Sequence, residues 1–154
     1  MYVYWKNESY GHLNQVRADL EVSYKGQQQF INVSGGAILD TMWVESEKNQ
    51  GKNNAPAVMM CNPNGVFYEN LALFDDSFLN LFLQNGFNVF LWNYRGYGRS
   101  TGSISPANVL KDADNLVEYL INIRGVTKLL VHGSSLGGAV AAHCSNNPNV
   151  EAVF

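Results

Sequence analysis

The segment Gly133-Ser134-Ser135-Leu136-Gly137 contains the residue types that acyl-transfer chemistry uses. It follows an apolar run at 128–131 and precedes small residues at 138–142, so it predicts a strand, a sharp turn and a helix with Ser135 at the apex. Such a turn lifts the serine hydroxyl clear of the sheet, and the flanking glycines let the helix pass close to the strand. Ser135 is therefore the candidate nucleophile for attack on a carbonyl carbon.

Alternating strands and helices must position this turn. The pattern predicts opening antiparallel strands, buried apolar strands and amphipathic helices. The opening strands fall at 19–25, 30–33 and 37–44, the buried strands at 57–61, 87–94, 128–132 and 150–154, and the helices at 69–85, 107–123 and 136–145. Repeated strand-helix-strand units with continuous apolar strands predict an α/β fold, a mostly parallel sheet with helices on both faces.

The composition excludes several function classes. A chain of 154 residues, 46% of them hydrophobic and 15% charged, can form one globular domain. The net charge of -3 and the absence of a Lys/Arg cluster argue against nucleic acid as a partner. No signal peptide or transmembrane run is recognisable, which predicts a cytoplasmic location and leaves peripheral membrane contact open. Cys61 and Cys144 suggest buried free thiols, and no residue cluster calls for a metal or a cofactor.

Three segments together carry a family resemblance. They are the Gly133 to Gly137 turn, the run Cys61-Asn62-Pro63-Asn64-Gly65-Val66-Phe67-Tyr68-Glu69, and the run from Trp92 to Gly102. In their order the chain resembles the α/β-hydrolase fold over nearly its whole length. The second and third segments are similar to phosphatidylserine-lipase-like hydrolases, and Asn93-Tyr94-Arg95-Gly96-Tyr97-Gly98 also resembles Bem46-like hydrolases.

The resemblance implies an oxyanion hole and a pocket. The backbone N–H of Leu136 is one expected oxyanion donor, and the loop after the 57–61 strand supplies the second. We assign that donor to Asn64, because Asn62-Pro63 stands where the family usually has His-Gly and proline has no N–H. Four further residues are candidates for the pocket: Phe67, Tyr68, Arg95 and Tyr97. The alternative is core packing for the first two and a structural role in a tight turn for the last two.

A catalytic acid and histidine are not recognisable in this chain. The fold places them after the serine in the order acid, then histidine, yet only 19 residues follow Ser135. His143 lies roughly 12 Å along the helix, and Glu151 is at the wrong end of its strand. His12 and His132 are also unsuited. Residues 1–154 are therefore expected to form a single partial domain, with 1–18 as an extension, the C-terminal strands missing and a truncation within 150–154.

Two function classes follow from these residues. The first is a serine ester hydrolase, an esterase or lipase that acts on an acyl-lipid, small ester or thioester through an acyl-enzyme on Ser135. As this fragment alone it is expected to be inactive or weakly active. The alternative is a non-catalytic α/β-hydrolase scaffold used for binding or protein interaction.

Overall fold

A computed structural model describes residues 10–50, 52, 54–70 and 76–154. Six strands form one sheet in the described chain. Their bounds are β1 Gln27–Asn32, β2 Ile38–Val44, β3 Ala57–Cys61, β4 Asn88–Trp92, β5 Leu129–Gly133 and β6 Val150–Val153. The strands at 30–33, 37–44, 57–61, 87–94, 128–132 and 150–154 were all predicted, with ends shifted by up to three residues.

The sheet order places β3 in the middle of the parallel part. The order is β1-β2-β4-β3-β5-β6, with β1 antiparallel to β2 and β2 antiparallel to β4. The remaining neighbours, β4 with β3, β3 with β5 and β5 with β6, are parallel. The predicted mostly parallel sheet is confirmed, and the parallel strands β3, β4 and β5 all end at the same edge.

Helices cover both faces of this sheet. Their bounds are α1 Tyr10–Ser23, α2 Asp76–Gln84, α3 Pro106–Asn122 and α4 Leu136–Cys144, and a short 3-10 helix spans Glu47–Asn49. Apolar side chains of α3 and α4 share one core with alternate strand residues such as Met59 and Phe90. Leu20 of α1 and Leu79 and Phe82 of α2 share a second core with the other strand face.

The predicted strand at 19–25 is wrong, because those residues complete and follow α1. The alternation of Leu20, Val22 and Tyr24 suggested a strand, yet the buried apolar residues of α1 are Leu13, Val16 and Leu20. Their spacing of three and four is helical, whereas Val22 is 82% exposed. The longer period therefore decides the structure, and α1 packs on the sheet with one apolar stripe.

The other helices agree with the sequence where they are described. Ser105 caps α3 by accepting a hydrogen bond from the N–H of Asn108 at 3.2 Å, and Pro106 opens the helix. The predicted helix at 69–85 is helical at 68–70 and in α2, while 71–75 lie outside the described residues. No helix in the described ranges is both long and apolar enough to cross a bilayer. Cys61 and Cys144 are buried free thiols, as predicted.

Candidate active site

Ser135 lies at the junction of β5 and α4, in a backbone conformation that few residues adopt. Its φ is 55° and its ψ is -118°, and the residue is exposed. Such a conformation costs about 1–3 kcal/mol and persists only where the surrounding structure imposes it. The Ser135 hydroxyl has no hydrogen-bond partner among the described residues. The turn therefore presents a strained, exposed serine at the carboxyl edge of the sheet.

Gly133 and Gly137 allow this turn by their lack of a side chain. A Cβ on Gly133 would lie 2.0 Å from the carbonyl oxygen of Gly137, and a Cβ on Gly137 would lie 2.0 Å from the carbonyl oxygen of Cys61. Real Cβ atoms do not approach oxygen so closely. Gly138 has ordinary space, with its nearest contact at 3.5 Å. The two predicted glycines are thus the ones that let α4 start against β5 and β3.

The N-terminus of α4 provides a candidate oxyanion donor. The N–H groups of Gly137 and Gly138 bond to the carbonyl oxygens of Ser134 and Ser135, at 2.9 and 3.0 Å. The N–H of Leu136 has no acceptor among the described residues. A free donor at the positive end of a helix, one residue after the serine, suits a developing negative charge.

The loop after β3 starts beside this turn. Cys61 pairs with Gly133 in the parallel register, and the helical Gly137 packs against the Cys61 and Asn62 backbones. The loop that contains Asn64 therefore follows directly from the strand that neighbours β5. Asn64 is exposed, and its side-chain oxygen accepts a hydrogen bond from the Tyr97 hydroxyl at 2.8 Å. Its role as the second oxyanion donor stays a prediction.

The run after β4 holds the start of the loop that follows β3. The Asn62 side chain donates to the carbonyl oxygen of Trp92 at 2.8 Å, and the Tyr94 hydroxyl donates to the carbonyl oxygen of Asn62 at 2.7 Å. The Asn93 side chain accepts from the N–H of Tyr68 at 2.8 Å. The 61–69 run and the 92–102 run, both singled out from the sequence, therefore contact each other, and the 92–102 run holds the 61–69 run in place.

A buried ionic cluster extends this network to α1. The Arg17 guanidinium is 4% exposed and bonds to Asp40, at 3.2 Å, and to Glu69, while its Nε donates to the Tyr68 hydroxyl at 3.1 Å. Glu69 also accepts from the Asn93 side chain at 3.0 Å. Burial raises the pKa of Glu69, and the hydrogen bond from Asn93 and the charge of Arg17 oppose that shift.

Sequence reasoning missed Arg17 and Asp40, the two partners from outside the family-like segments. One signal was present for Arg17, since it follows Val16 and lies three residues before Leu20, on the buried stripe of α1. A charged residue on such a stripe is rarely buried without a partner. The partners themselves are distant in sequence, so the pattern could not identify them.

The four predicted pocket residues each have partners inside the protein. Arg95 is 5% exposed and makes a bidentate pair with the buried Asp112, at 2.7 and 2.6 Å. Tyr68 is fully buried, and the ring of the partly exposed Phe67 packs edge-on against Tyr97 at 5.8 Å between centroids. A pocket role for these residues stays a prediction.

Two of the three histidines contact other residues, and the third is exposed. His143 Nε2 lies 2.9 Å from Asp114 Oδ1, which joins α4 to α3. The His132 ring packs against Phe78 and Phe154, with centroids 5.0 and 5.1 Å apart. His12 is exposed on α1. Within the described ranges, no histidine or carboxylate hydrogen-bonds to Ser135.

Several curated proteins are similar to this chain. An uncharacterized protein of Caenorhabditis elegans, F37A4.1, is 32% identical over 144 residues, covering 92% of this chain and 28% of the relative. A phosphatidylserine lipase of Macaca fascicularis, ABHD16A, is 27% identical over 145 residues, covering 92% of this chain and 25% of the relative. Protein bem46 of Schizosaccharomyces pombe is 52% identical over 56 residues, or 35% of this chain and 19% of the relative.

Solved structures share the fold. The Pyrococcus furiosus esterase Pf2001 superposes with a TM-score of 0.70 at 16% identity, covering 88% of this chain and 53% of that protein. An alpha-beta hydrolase from Vibrio vulnificus also gives 0.70, at 23% identity, covering 96% of this chain and 53% of that protein. This chain therefore spans about half of each solved protein and at most 28% of the curated relatives described above.

A family model assigns the chain to a protein family. The model described as "Serine aminopeptidase, S33" matches residues 67–152, which include β4, β5, the Ser135 turn and α4. The match covers more than half of the chain, and the relatives and the fold agree with it. The chain belongs to this S33 family, within the α/β-hydrolase superfamily.

Proposed function

We propose that this chain carries the nucleophile of a serine ester hydrolase, with Ser135 as the attacking residue. The observation that carries the proposal is the strained backbone of Ser135 with its exposed hydroxyl at the start of α4. Strain of this kind clusters at functional sites, and an exposed serine held in it at a strand-to-helix turn suits a nucleophile. Membership of a hydrolase family that has lipase and esterase relatives supports the same chemistry.

The reaction follows from these groups. The Ser135 Oγ attacks the acyl carbonyl carbon, and its proton passes through a base to the leaving alcohol or thiol, whose bond to that carbon breaks. The N–H of Leu136 and a second donor from the loop after β3, which we assign to Asn64, bind the oxyanion. Water then cleaves the acyl-enzyme and restores the serine. The substrate class is an acyl-lipid, ester or thioester.

The base and the acid are proposed to come from outside this chain. No described histidine or carboxylate hydrogen-bonds to Ser135, and the relatives are several times longer than the matched region. The lack of a described base beside Ser135 also fits the alternative of a non-catalytic scaffold. The test must therefore use more of the protein than these residues. We choose the longest natural open reading frame that contains this chain, and its product is called the full-frame protein below.

Labelling with a fluorophosphonate probe tests the nucleophile. The full-frame protein and its Ser134→Ala variant should be labelled, whereas Ser135→Ala should not. Ser134 is the matched control, since it is the exposed serine directly before Ser135. Equal labelling of all three proteins would reject Ser135 as the nucleophile. No labelling of any of them would favour the scaffold.

A further inference from the structure

The Tyr97 hydroxyl holds the tip of the loop after β3 at two points. It accepts a hydrogen bond from the N–H of Gly65 at 3.1 Å and donates one to the side-chain oxygen of Asn64 at 2.8 Å. Tyr97 is 4% exposed, and its ring packs against Phe67 and Tyr94 at centroid distances of 5.8 and 5.7 Å. A buried, tightly packed phenol therefore fixes two exposed loop residues.

These bonds leave one backbone donor free at the tip. Pro63 has no N–H, the N–H of Gly65 is used by Tyr97, and the N–H of Val66 bonds to the carbonyl oxygen of Pro63 at 3.2 Å. Within residues 63–66, only the N–H of Asn64 has no acceptor in the described chain. The carboxamide oxygen of Asn64 accepts from Tyr97 and cannot donate to an oxyanion, so we assign the donor role to the backbone N–H of Asn64.

We propose that Tyr97 is a positioning residue of the oxyanion hole: its hydroxyl tethers Asn64 and Gly65 so that the N–H of Asn64 stays aimed at the oxyanion. The role rests on the proposed function and goes beyond it, because Tyr97 acts here through Asn64 and does not touch the substrate. It also explains an asparagine at 64, whose carboxamide serves as the point of attachment.

A tyrosine suits this task, because one hydroxyl can donate and accept at the same time. Phenylalanine would keep the ring packing and remove both bonds. The loop tip would then move, and the oxyanion would lose the alignment of one donor. Loss of a whole oxyanion donor lowers the rate by roughly 10²- to 10³-fold, so misalignment should lower kcat by about 10- to 100-fold.

The test compares three single variants and one double variant of the full-frame protein on a soluble p-nitrophenyl ester. Tyr97→Phe and Asn64→Ala should each lower kcat by about 10-fold or more and leave KM within about twofold. Because the two residues act partly through one bond, the double variant should lose less than the product of the single losses. Tyr119→Phe is the matched control, since the Tyr119 hydroxyl bonds to Gln29 in the β1–α3 contact, away from the loop. Its kcat should not change.

Hydrogen exchange gives an independent readout in the same variants. In Tyr97→Phe the amide of Gly65 should exchange faster, while the amides of β3 stay protected and the unfolding temperature changes little. This pattern separates a loosened loop from a loosened fold.

Three results would overturn the role of Tyr97. They are an unchanged kcat in Tyr97→Phe, a fully multiplicative double variant, or a rise in KM at constant kcat, which would indicate a pocket contact. Ser135→Ala distinguishes this failure from failure of the proposed function. If Ser135→Ala keeps full activity, the proposed function fails; if it is inactive while Tyr97→Phe is normal, only the positioning role fails.

Discussion

Replacing Gly137 by alanine should damage the site, whereas the same change at Gly138 should not. An ideal Cβ at 137 would lie 2.0 Å from the carbonyl oxygen of Cys61 and 2.6 Å from its carbonyl carbon. Ordinary carbon contacts are about 3.5 Å, so α4 and the end of β3 would have to separate by more than about 1 Å. At 138 the nearest contact would be 3.5 Å, which needs no movement.

The magnitudes follow from two opposing effects. Alanine in a helix is favoured over glycine by up to about 1 kcal/mol, and both positions gain this. Overpacking costs about 1–3 kcal/mol, and the upper end applies at 137 because the obstacle is backbone and not a flexible side chain. We expect Gly137→Ala to lose about 2 kcal/mol of unfolding free energy and Gly138→Ala to gain about 0.5 kcal/mol.

Urea unfolding followed by tryptophan fluorescence measures this difference. For a domain of about 150–250 residues, each kcal/mol should also shift the unfolding temperature by about 2–4 °C. Fluorophosphonate labelling of Gly137→Ala should slow as well, because the displaced Cys61 leads into the loop to which we assign the second oxyanion donor. Equal unfolding free energies for the two variants, within about 0.5 kcal/mol, would refute the close-approach reasoning.

Three further changes test other parts of the structure. Ser135→Gly should abolish labelling, and it should raise the unfolding free energy by about 1 kcal/mol because glycine relieves the backbone strain at this position. A variant that is less stable in urea would contradict the interpretation that Ser135 is strained. Arg95→Met leaves Asp112 buried and unpaired, so it should lower the free energy of unfolding by about 3–5 kcal/mol in the same assay. A loss under about 1 kcal/mol would show that stability does not depend on the pair. Burial raises the pKa of the Glu69 carboxyl group, so as pH rises this group loses its proton in the unfolded chain before it does so in the folded protein. The free energy of unfolding should therefore fall as pH rises from about 4.5 through the folded pKa. Urea unfolding measured across that pH range should show no such dependence on pH in Glu69→Gln. An unchanged pH dependence in this variant would show that another group causes it.

The local parts of the fold could be predicted from the sequence. The turn at Ser135 and the cap at Ser105 depend on residues close together in the chain, so their residue types carry the information. The start of the chain misled the prediction, because a short alternating stretch within α1 imitates a strand. Only the helical spacing of Leu13, Val16 and Leu20 distinguishes the two structures.

The contacts that shape the site could not be predicted. Arg17 meets Glu69 across 52 positions, and the Tyr97 hydroxyl meets Asn64 across 33. The local pattern around each residue does not identify its partner, and only the three-dimensional fold brings the two members of each pair together. The sequence segments therefore indicated which loops matter, while the pairing between them depends on the three-dimensional fold.

The central position of β3 has a consequence for how the protein folds. One edge of β3 pairs with β4, and the other pairs with β5, whose residues come about 70 positions later. Until β5 has been synthesised and has docked, the apolar strand Ala57–Cys61 has an open edge that other chains can join. Such non-local pairing is slow to form. We therefore expect aggregation before β5 docks to depend on this strand.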